Sequence, residues 1–546
     1  MKPRFDHSIS GIRRTFFAGL AALLTLPAPA VQAQSVRPAA TETQPQVLTL
    51  SLEDAIQIAR VQNYALRNLQ LNVENAAAQV KEAWGTVMPQ VNLNTSYTRN
   101  IVSANPFAGS SAGGLFQSLG FLDWLSYNER VRMDDDANTQ PMDYLDFLER
   151  QQQGMEEAGI VLNQSDNPFA VDNQFSASIS VEQTLFNKSA FAAIRGAEAL
   201  KNINARAADR QEQLLIGQVR EAFYGALLAQ EQANVSRQSV ARTMQTVQEV
   251  SKQVAQGVAP KFQRLSAEVE LANLQTAYVQ VQNQASLALD NLKLLLGIPI
   301  EQPISLRGNL EAENINTFRT VSVDDAVAMA LANRPDLEQA RLAVELRRID
   351  KNITRAQYFP SVSAFLGFGY LGNVPDYRGI IITDQNDPFR FSQENLRFFH
   401  NSYWNPSLNG GIRLSWTIFN GFQTSAQAQQ RQIAIDQAEN DAEQLLQTVT
   451  LEVERAIKNL EAARQRISAQ EQNIQRAELN YQYARARLAE GVATQLEERE
   501  ASEQLDQSRL NYLQAVYDYL VAESAFETAV GEPLPPRGTF RLTSTQ

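Results

Sequence analysis

The sequence predicts an α+β fold in which two tandem copies of one unit each supply two amphipathic β-strands and a hairpin of long coiled-coil helices. Three observations on the 546-residue chain lead to this prediction. The chain matches itself at a nearly constant offset, four segments alternate apolar and polar residues, and two proline-free stretches repeat apolar residues at helical spacing. Each unit should therefore run helix, strand, long loop, strand, very long helix, tight turn and helix.

The N-terminus has the features of a secretory signal peptide over residues 1–33. Basic residues precede an apolar run from Phe16 to Leu26, and small residues flank the end of the segment at Ala33. Cleavage would remove four basic residues and one acidic residue, so the net charge would change from −12 to −15. An N-terminal linker, residues 34–48, is expected to follow.

The composition excludes several classes of function. The acidic balance argues against nucleic-acid binding, and the absence of cysteine excludes disulfides and thiolate metal sites. His7 lies in the signal peptide, so His400 is the one imidazole of the mature chain. Histidine-based catalysis needs more than that, so we expect neither an enzyme nor a bound cofactor or metal.

The internal repeat sets the boundaries of the units. An offset of 271 aligns residues 51–91 with residues 322–362, and ten of the 41 aligned pairs are identical. An offset of 234 aligns Gly257 with Gly491 and Gly297 with Gly531. The predicted units are repeat 1 (49–300), an equatorial linker (301–321), repeat 2 (322–533) and a C-terminal tail (534–546).

Each repeat begins with a helix that a proline ends. Ser51 and Ser322 stand at N-cap positions, and acidic residues in the first turn suit the helix dipole. The helices should end about two residues before Pro89 and Pro360, which would form helix-to-strand corners.

The four alternating segments predict strands with one apolar and one polar face, the pattern of a membrane β-barrel. The chain has no apolar run of about 18 residues beyond the leader, so a membrane crossing would have to use strands. Four strands cannot close a barrel, and closure would need two copies for eight strands or three copies for twelve. The segments are residues 91–98, 175–182, 362–370 and 408–416.

The first loop between strands, residues 100–172, is an insertion relative to the second repeat. It contains three consecutive aspartates from Asp134 and a helix-like stretch from Met142 to Val161. We expect it to cover the outer mouth of the barrel, and surface decoration is the alternative.

The long helices should run from Asn187 to about Gln256 and from Asn420 to about Glu490. Such a helix would be about 100 Å long at 1.5 Å per residue. Its sparse apolar residues follow coiled-coil spacing, so it needs neighbours, which return helices supply after turns at residues 257–260 and 491–494.

In this combination the sequence resembles the TolC family of Gram-negative outer-membrane efflux and secretion channels, over about residues 48–535. The resemblance implies a homotrimer with a twelve-stranded barrel among outer-membrane lipids and a periplasmic barrel of twelve helices. It also implies a passive exit duct that docks to a periplasmic adaptor and an inner-membrane transporter. The motifs that carry it are Leu50-Ser51-Leu52-Glu53-Asp54-Ala55, Met88-Pro89-Gln90, Phe359-Pro360-Ser361, Leu185-Phe186-Asn187, Ile418-Phe419-Asn420-Gly421 and the two Gly-Val-Ala turns.

The resemblance also places a periplasmic gate just after Gly257 and Gly491. Glu497 and Glu500 match the spacing of a pair of acidic residues that rings the constriction in relatives, and Gln263 and Ser266 stand at the matching positions of repeat 1. Three copies would place six carboxylates around one opening, which favours cations. The alternative is that Glu497, Glu498 and Glu500 only form a solvated helix start.

Some relatives latch the closed gate with an arginine two residues after the second glycine, paired to an aspartate on the first hairpin. Here Ala493 stands at the position of the arginine and Gln263 at the position of the aspartate, so the same latch is not expected.

Other motifs favour structural interpretations. Gly367 to Gly372 spells a dinucleotide-binding pattern but opens no helix, so small residues facing a lumen are expected instead. His400 lies in an aromatic loop tip rather than among metal ligands. A periplasmic adaptor or structural coiled coil without a pore is the alternative function. Aromatic residues near strand ends predict girdles at the membrane interfaces, and core packing is the alternative: Tyr97, Phe186, Tyr370, Trp404, Trp416 and Phe419.

Overall fold

The structure, a computed structural model, describes residues 47–102, 113–134, 139–160, 171–310, 322–384 and 387–531. The predicted signal peptide (1–33) and C-terminal tail (534–546) lie outside the described residues, as do parts of both linkers and of the 100–172 insertion.

Helices and strands follow the predicted order in both repeats. Within the described ranges, no helix is long and apolar enough to cross a membrane. The elements are β1 (Leu48–Leu50), α1 (Leu52–Gln62), α2 (Tyr64–Gly85), β2 (Gln90–Arg99), α3 (Gly113–Met133), α4 (Tyr144–Glu157), β3 (Asn173–Phe186), α5 (Lys188–Ala255), α6 (Lys261–Leu296), β4 (Ile304–Leu306), α7 (Val323–Asn333), α8 (Pro335–Ala356), β5 (Ser361–Val374), β6 (Gly379–Thr383), β7 (Phe391–Asn395), β8 (Trp404–Ser415), α9 (Gln423–Ala489) and α10 (Gln495–Val530).

The helix predicted at the start of each repeat is two helices in the structure. Asn63 ends α1 and caps α2 by accepting from the Leu66 N–H at 2.9 Å. In repeat 2 the break falls at Arg334, and Pro335 occupies the first turn of α8. The expected N-caps are present, because Ser51 and Ser322 each accept from a backbone N–H three residues on. The prediction of a single helix was therefore wrong at these two positions.

The two long hairpins have nearly the predicted bounds. Helix α5 packs against α6, α9 against α10, and α5 also contacts α8 and α10. Of the coiled-coil positions expected on α9, four are buried, namely Val449, Val453, Leu460 and Ile467. In repeat 1 the apolar residues near the tip follow the pattern only in part, because Val250 is buried but Met244 is exposed.

The hydrophobic cores lie where the short helices meet the long ones. One core joins α1, α5, α6 and α10 around Phe223 and Leu292, and contains the ion pair between Arg60 and Glu212, whose Nε and Oε1 atoms are 2.6 Å apart. The parallel pair β1–β4 lies beside it. Gly297 ends α6 there with a φ of +73°, and a Cβ at Gly297 would lie 2.5 Å from the carbonyl oxygen of Gln62.

All four predicted strands are present in one antiparallel sheet ordered β2-β3-β5-β8. Its register aligns Val91 with Val181, Val181 with Leu366, and Leu366 with Gly410. Strands β2 and β8 are therefore the edges of this sheet.

The 100–172 insertion contains helices α3 and α4 and is not only a loop. Helix α4 covers part of the predicted stretch 142–161, whereas α3 was not predicted. Tyr127 and Phe147 pack on Phe389, which lies between β6 and β7 in the corresponding loop of repeat 2. The two outer loops thus form one unit. Gly154 permits the contact, because a Cβ there would lie 1.8 Å from the Phe389 carbonyl oxygen.

Candidate functional site

The tip of the second hairpin is a tight turn that a glycine makes possible. Gly491 has a φ of +72°, and the N–H groups of Gly491 and Val492 close the end of α9 by donating to Leu488 and Arg487. Thr494 caps α10 by accepting from the Glu497 N–H, and the Glu497 carboxylate accepts from the Thr494 hydroxyl at 3.1 Å. This turn fixes where the predicted gate carboxylates stand.

Glu497 and Glu500 lie on the exposed side of α10 but have different surroundings. Besides capping the helix, Glu497 lies 3.4 Å from an Arg487 Nη atom. Glu500 is exposed. Glu497 thus stabilises the start of the helix, and the two carboxylates share an outward face.

Glu498 points to the other side of α10, against the neighbouring helices. It is half-buried, and burial is the main reason that its pKa lies above the ordinary range. The charges of Arg485 and Arg242 and a hydrogen bond with Tyr481 act in the opposite direction, while Glu249 raises the pKa. Sequence reasoning treated Glu498 as part of a solvated helix start, and only the packing of α10 reveals its different environment.

The first tip uses the same glycine turn without acidic residues. Gly257 has a φ of +76°, and its N–H donates to Val254 at 3.1 Å. Pro260 precedes α6 without a side-chain cap, and the Gln263 N–H donates to the Pro260 carbonyl. Gln263 and Ser266 then lie on the first two turns of α6.

A cavity of about 370 Å³ between α5, α6 and α10 joins the two tips. Gln263 and Ser266 line it together with Glu498 and Asp506, whereas Glu497 and Glu500 do not. Within one protomer, the structure therefore does not bring together the four predicted gate residues.

An ion pair crosses between the hairpins beside this cavity. Arg242 on α5 donates to Asp506 on α10, and their side chains are only 22% and 17% exposed. Sequence reasoning missed this pair because the partners are 264 residues apart and neither belongs to a local motif.

Pro89 and Pro360 lie at the predicted corners, directly before β2 and β5. The corners are tied to the sheet by side chains. Gln183 donates to the Val87 carbonyl at 2.7 Å, and the Trp416 indole donates to the Tyr358 carbonyl at 3.1 Å. These bonds hold the chain after α2 and after α8 against the sheet.

One face of the sheet is apolar and open to solvent within the protomer. Val91 is 67% exposed, and both Leu408 and Ile412 are 72% exposed. At the outer end of this face Phe175 stacks with Tyr97 and Trp404. At the inner end Phe186, Trp416 and Phe419 are also exposed. The aromatic residues thus lie at both ends of the apolar face.

The opposite face carries mainly Ser, Asn, Gln and Gly. Gly367 and Gly369 belong to it, and a Cβ on either would lie within 3 Å of the side chain of Asn409 or Ser407. These glycines make room between strands and show no nucleotide-binding geometry, since β5 continues through them.

The Nδ1 atom of His400 lies 3.0 Å from the Ser402 hydroxyl oxygen and 3.3 Å from the Ser402 backbone nitrogen. The imidazole ring lies beside the ring of Tyr403. Among the described residues, no group of three His, Cys, Asp or Glu side chains could hold a metal ion.

Comparison with known proteins identifies a family. The outer membrane efflux protein family matches residues 147–298 and 326–532. The chain is 23% identical over 350 residues to the alkaline protease secretion protein AprF of Pseudomonas aeruginosa, which covers 64% of this chain and 68% of AprF. It is 21% identical over 379 residues to the outer membrane protein TolC of Vibrio cholerae, covering 68% of this chain and 80% of TolC. The cation efflux system protein CusC of Escherichia coli is 23% identical over 321 residues, covering 58% of this chain and 64% of CusC.

Solved structures agree on the fold. The CmeC outer membrane channel of Campylobacter jejuni superimposes with a TM-score of 0.64 at 14% identity, covering 88% of this chain and 85% of CmeC. A CusC structure superimposes with a TM-score of 0.62 at 19% identity, covering 88% and 92% of the two chains. At such identities the likeness establishes the fold alone.

Proposed function

The chain belongs to the outer membrane efflux protein family, and we propose that it works as a homotrimer whose twelve strands close one barrel and whose long helices continue it as a periplasmic tunnel. It is an outer-membrane exit duct of a Gram-negative bacterium and not an enzyme. A periplasmic adaptor without a pore, the alternative function, is set aside by family membership.

The observation that carries the trimer is the unfinished sheet. It has an exposed apolar face, a polar face and two unpaired edges, β2 and β8. Apolar side chains suit lipid and polar ones suit a water-filled lumen, while open edges are not tolerated in lipid. Pairing β8 of one copy with β2 of the next satisfies all three requirements at once.

The duct has no energy source of its own in this proposal. A periplasmic adaptor and an inner-membrane transporter would dock at the hairpin tips and deliver the cargo. Its relatives include a protease secretion protein and a cation efflux protein, so family membership leaves the cargo open.

We assign the gate to the second hairpin tip. Glu497 and Glu500 share an outward face near the turn, so three copies would gather six carboxylates around the opening and favour cations. Gln263 and Ser266 face the cavity between the hairpins and would support the gate from the side. The Arg242–Asp506 pair would hold the second hairpin against α5.

Conductance of the purified protein in planar bilayers tests this function. We expect a small, cation-selective conductance that trivalent cations block from the periplasmic side. Glu497→Gln/Glu500→Gln should remove the block, while Glu461→Gln/Glu471→Gln, which neutralises two exposed carboxylates on α9, should not. Silent bilayers that contain inserted trimers would refute the channel. An unchanged block in the first variant would refute the gate only.

A further inference from the structure

The polar face of the four-stranded sheet carries two charged side chains within the described strands, and they lie together. They are Glu182 on β3 and Arg413 on β8, near the end of the sheet that joins the long helices. The Arg413 Nη1 and Glu182 Oε1 atoms are 4.0 Å apart, which is too far for a hydrogen bond. The guanidinium therefore keeps donors for another partner.

The strand between these two residues carries an aromatic ring beside the charges. Phe365 on β5 pairs directly with Glu182 on one side and with Gly411 on the other. The guanidinium carbon of Arg413 lies 5.2 Å from the ring centroid, within the range of a cation–π contact.

Gly411 leaves space for this ring because it has no side chain. A Cβ at Gly411 would lie 3.1 Å from Cζ of Phe365, so a larger residue would displace the ring. Phe365 is thus an aromatic residue on a face that otherwise consists mainly of small polar residues, with a glycine opposite it and an arginine above it.

We propose that Phe365, Arg413 and Glu182 form a lumenal binding station for anionic aromatic groups of solutes in transit. The inference rests on the proposed trimeric channel, in which the polar face lines the lumen. A planar aromatic anion can stack on the exposed part of Phe365 and accept hydrogen bonds from Arg413. Glu182 competes for the same guanidinium and so keeps the binding weak enough for release.

The dimensions of the barrel allow contact with solutes. Twelve strands spaced about 4.8 Å apart and tilted by about 40° give a backbone diameter of roughly 24 Å. Three arginine and three phenylalanine side chains directed inward would narrow the opening to roughly 10 Å. A bicyclic aromatic solute would then pass within reach of at least one station.

The test measures block of single-channel conductance by 2-naphthalenesulfonate added on the side of the outer loops. Methanesulfonate, which has the same anionic group without the ring, is the control anion. Arg413→Gln should raise the half-blocking concentration of naphthalenesulfonate about tenfold, the value of one charged hydrogen bond. Phe365→Ser should raise it severalfold for naphthalenesulfonate but not change the effect of methanesulfonate.

Glu182→Gln gives the sharpest expectation, because it should strengthen block by releasing Arg413 from its competitor. Ser407→Gln, farther along the same face of β8, is the matched control and should leave block unchanged. Trimers that resist dissociation on gels show that each variant is assembled. Equal block in all proteins, or the same direction of change in Arg413→Gln and Glu182→Gln, would overturn the station while leaving the channel intact. Loss of conductance in every protein, wild type included, would overturn the channel and the station with it.

Discussion

Breaking the ion pair between Arg242 and Asp506 should shift the channel toward its open state. The pair joins α5 of the first hairpin to α10 of the second, and both side chains are mostly buried. In the proposed trimer it occurs three times near the periplasmic opening. The prediction takes the observed position of the second hairpin as the closed one, so loss of the pair removes an attraction that holds the hairpin closed.

The magnitude follows from burial and symmetry. We take about 1 kcal/mol for one such pair, between the values for exposed and for fully buried ion pairs. If the three protomers open together, the three contributions add to about 3 kcal/mol. Such a change shifts the equilibrium between closed and open states by roughly 150-fold.

The assay is the open fraction of single channels in planar bilayers. Arg242→Gln and Asp506→Asn should each increase the open fraction, and the exchanged variant Arg242→Asp/Asp506→Arg should bring the open fraction part of the way back to the wild-type value. Arg466→Gln is the matched control, because Arg466 pairs with Asp518 at 3.1 Å within the second hairpin rather than between hairpins. An equal effect of Arg466→Gln would refute the reasoning, and so would an unchanged open fraction in both single variants.

Three further predictions concern stability. Burial raises the pKa of Glu498, so its ionised form opposes folding above that pKa. The stability that protonated Glu498 contributes is complete below the ordinary carboxyl pKa and is lost as the pH rises through the pKa in the folded protein. The melting temperature of the wild type should therefore rise from neutral to mildly acidic pH, and Glu498→Gln should make this rise smaller. Gly297→Ala should destabilise more than Gly257→Ala in thermal unfolding, because both positions carry the left-handed strain of about 1–2 kcal/mol but only Gly297 also meets a neighbouring backbone oxygen; equal losses would contradict this. Arg60→Met or Glu212→Leu alone should cost about 3–5 kcal/mol of unfolding free energy, and the double replacement should cost less, as a thermodynamic cycle would measure.

The elements that the sequence predicts well are those with long periodic patterns. The strands and the long helices have bounds within a few residues of the prediction, because their periods of two and of about 3.6 extend over many residues. The breaks at Asn63 and Arg334 were missed, although Asn63 is a good capping residue and Pro335 favours the first helical turn. In both places a continuous apolar pattern concealed a local stop signal.

The candidate site was predicted only in part, because its geometry depends on rotation about helix axes. Spacing alone placed Glu497 and Glu500 on one face of α10. It did not indicate that Glu498 packs between hairpins or that Arg242 meets Asp506 across 264 residues. Helix α3 was also missed, since exposed Phe121, Leu122 and Leu125 interrupt a one-sided apolar pattern.

The unpaired edges constrain how the proposed trimer can assemble. Strands β2 and β8 contain ten and twelve residues, and about half of the backbone polar groups of each face outward from the sheet. Each group left unsatisfied in lipid costs several kcal/mol, so a single inserted protomer would be disfavoured by tens of kcal/mol. The exposed apolar face, in turn, disfavours a free protomer in water. Pairing of the edges and burial of the apolar face in lipid should therefore occur together.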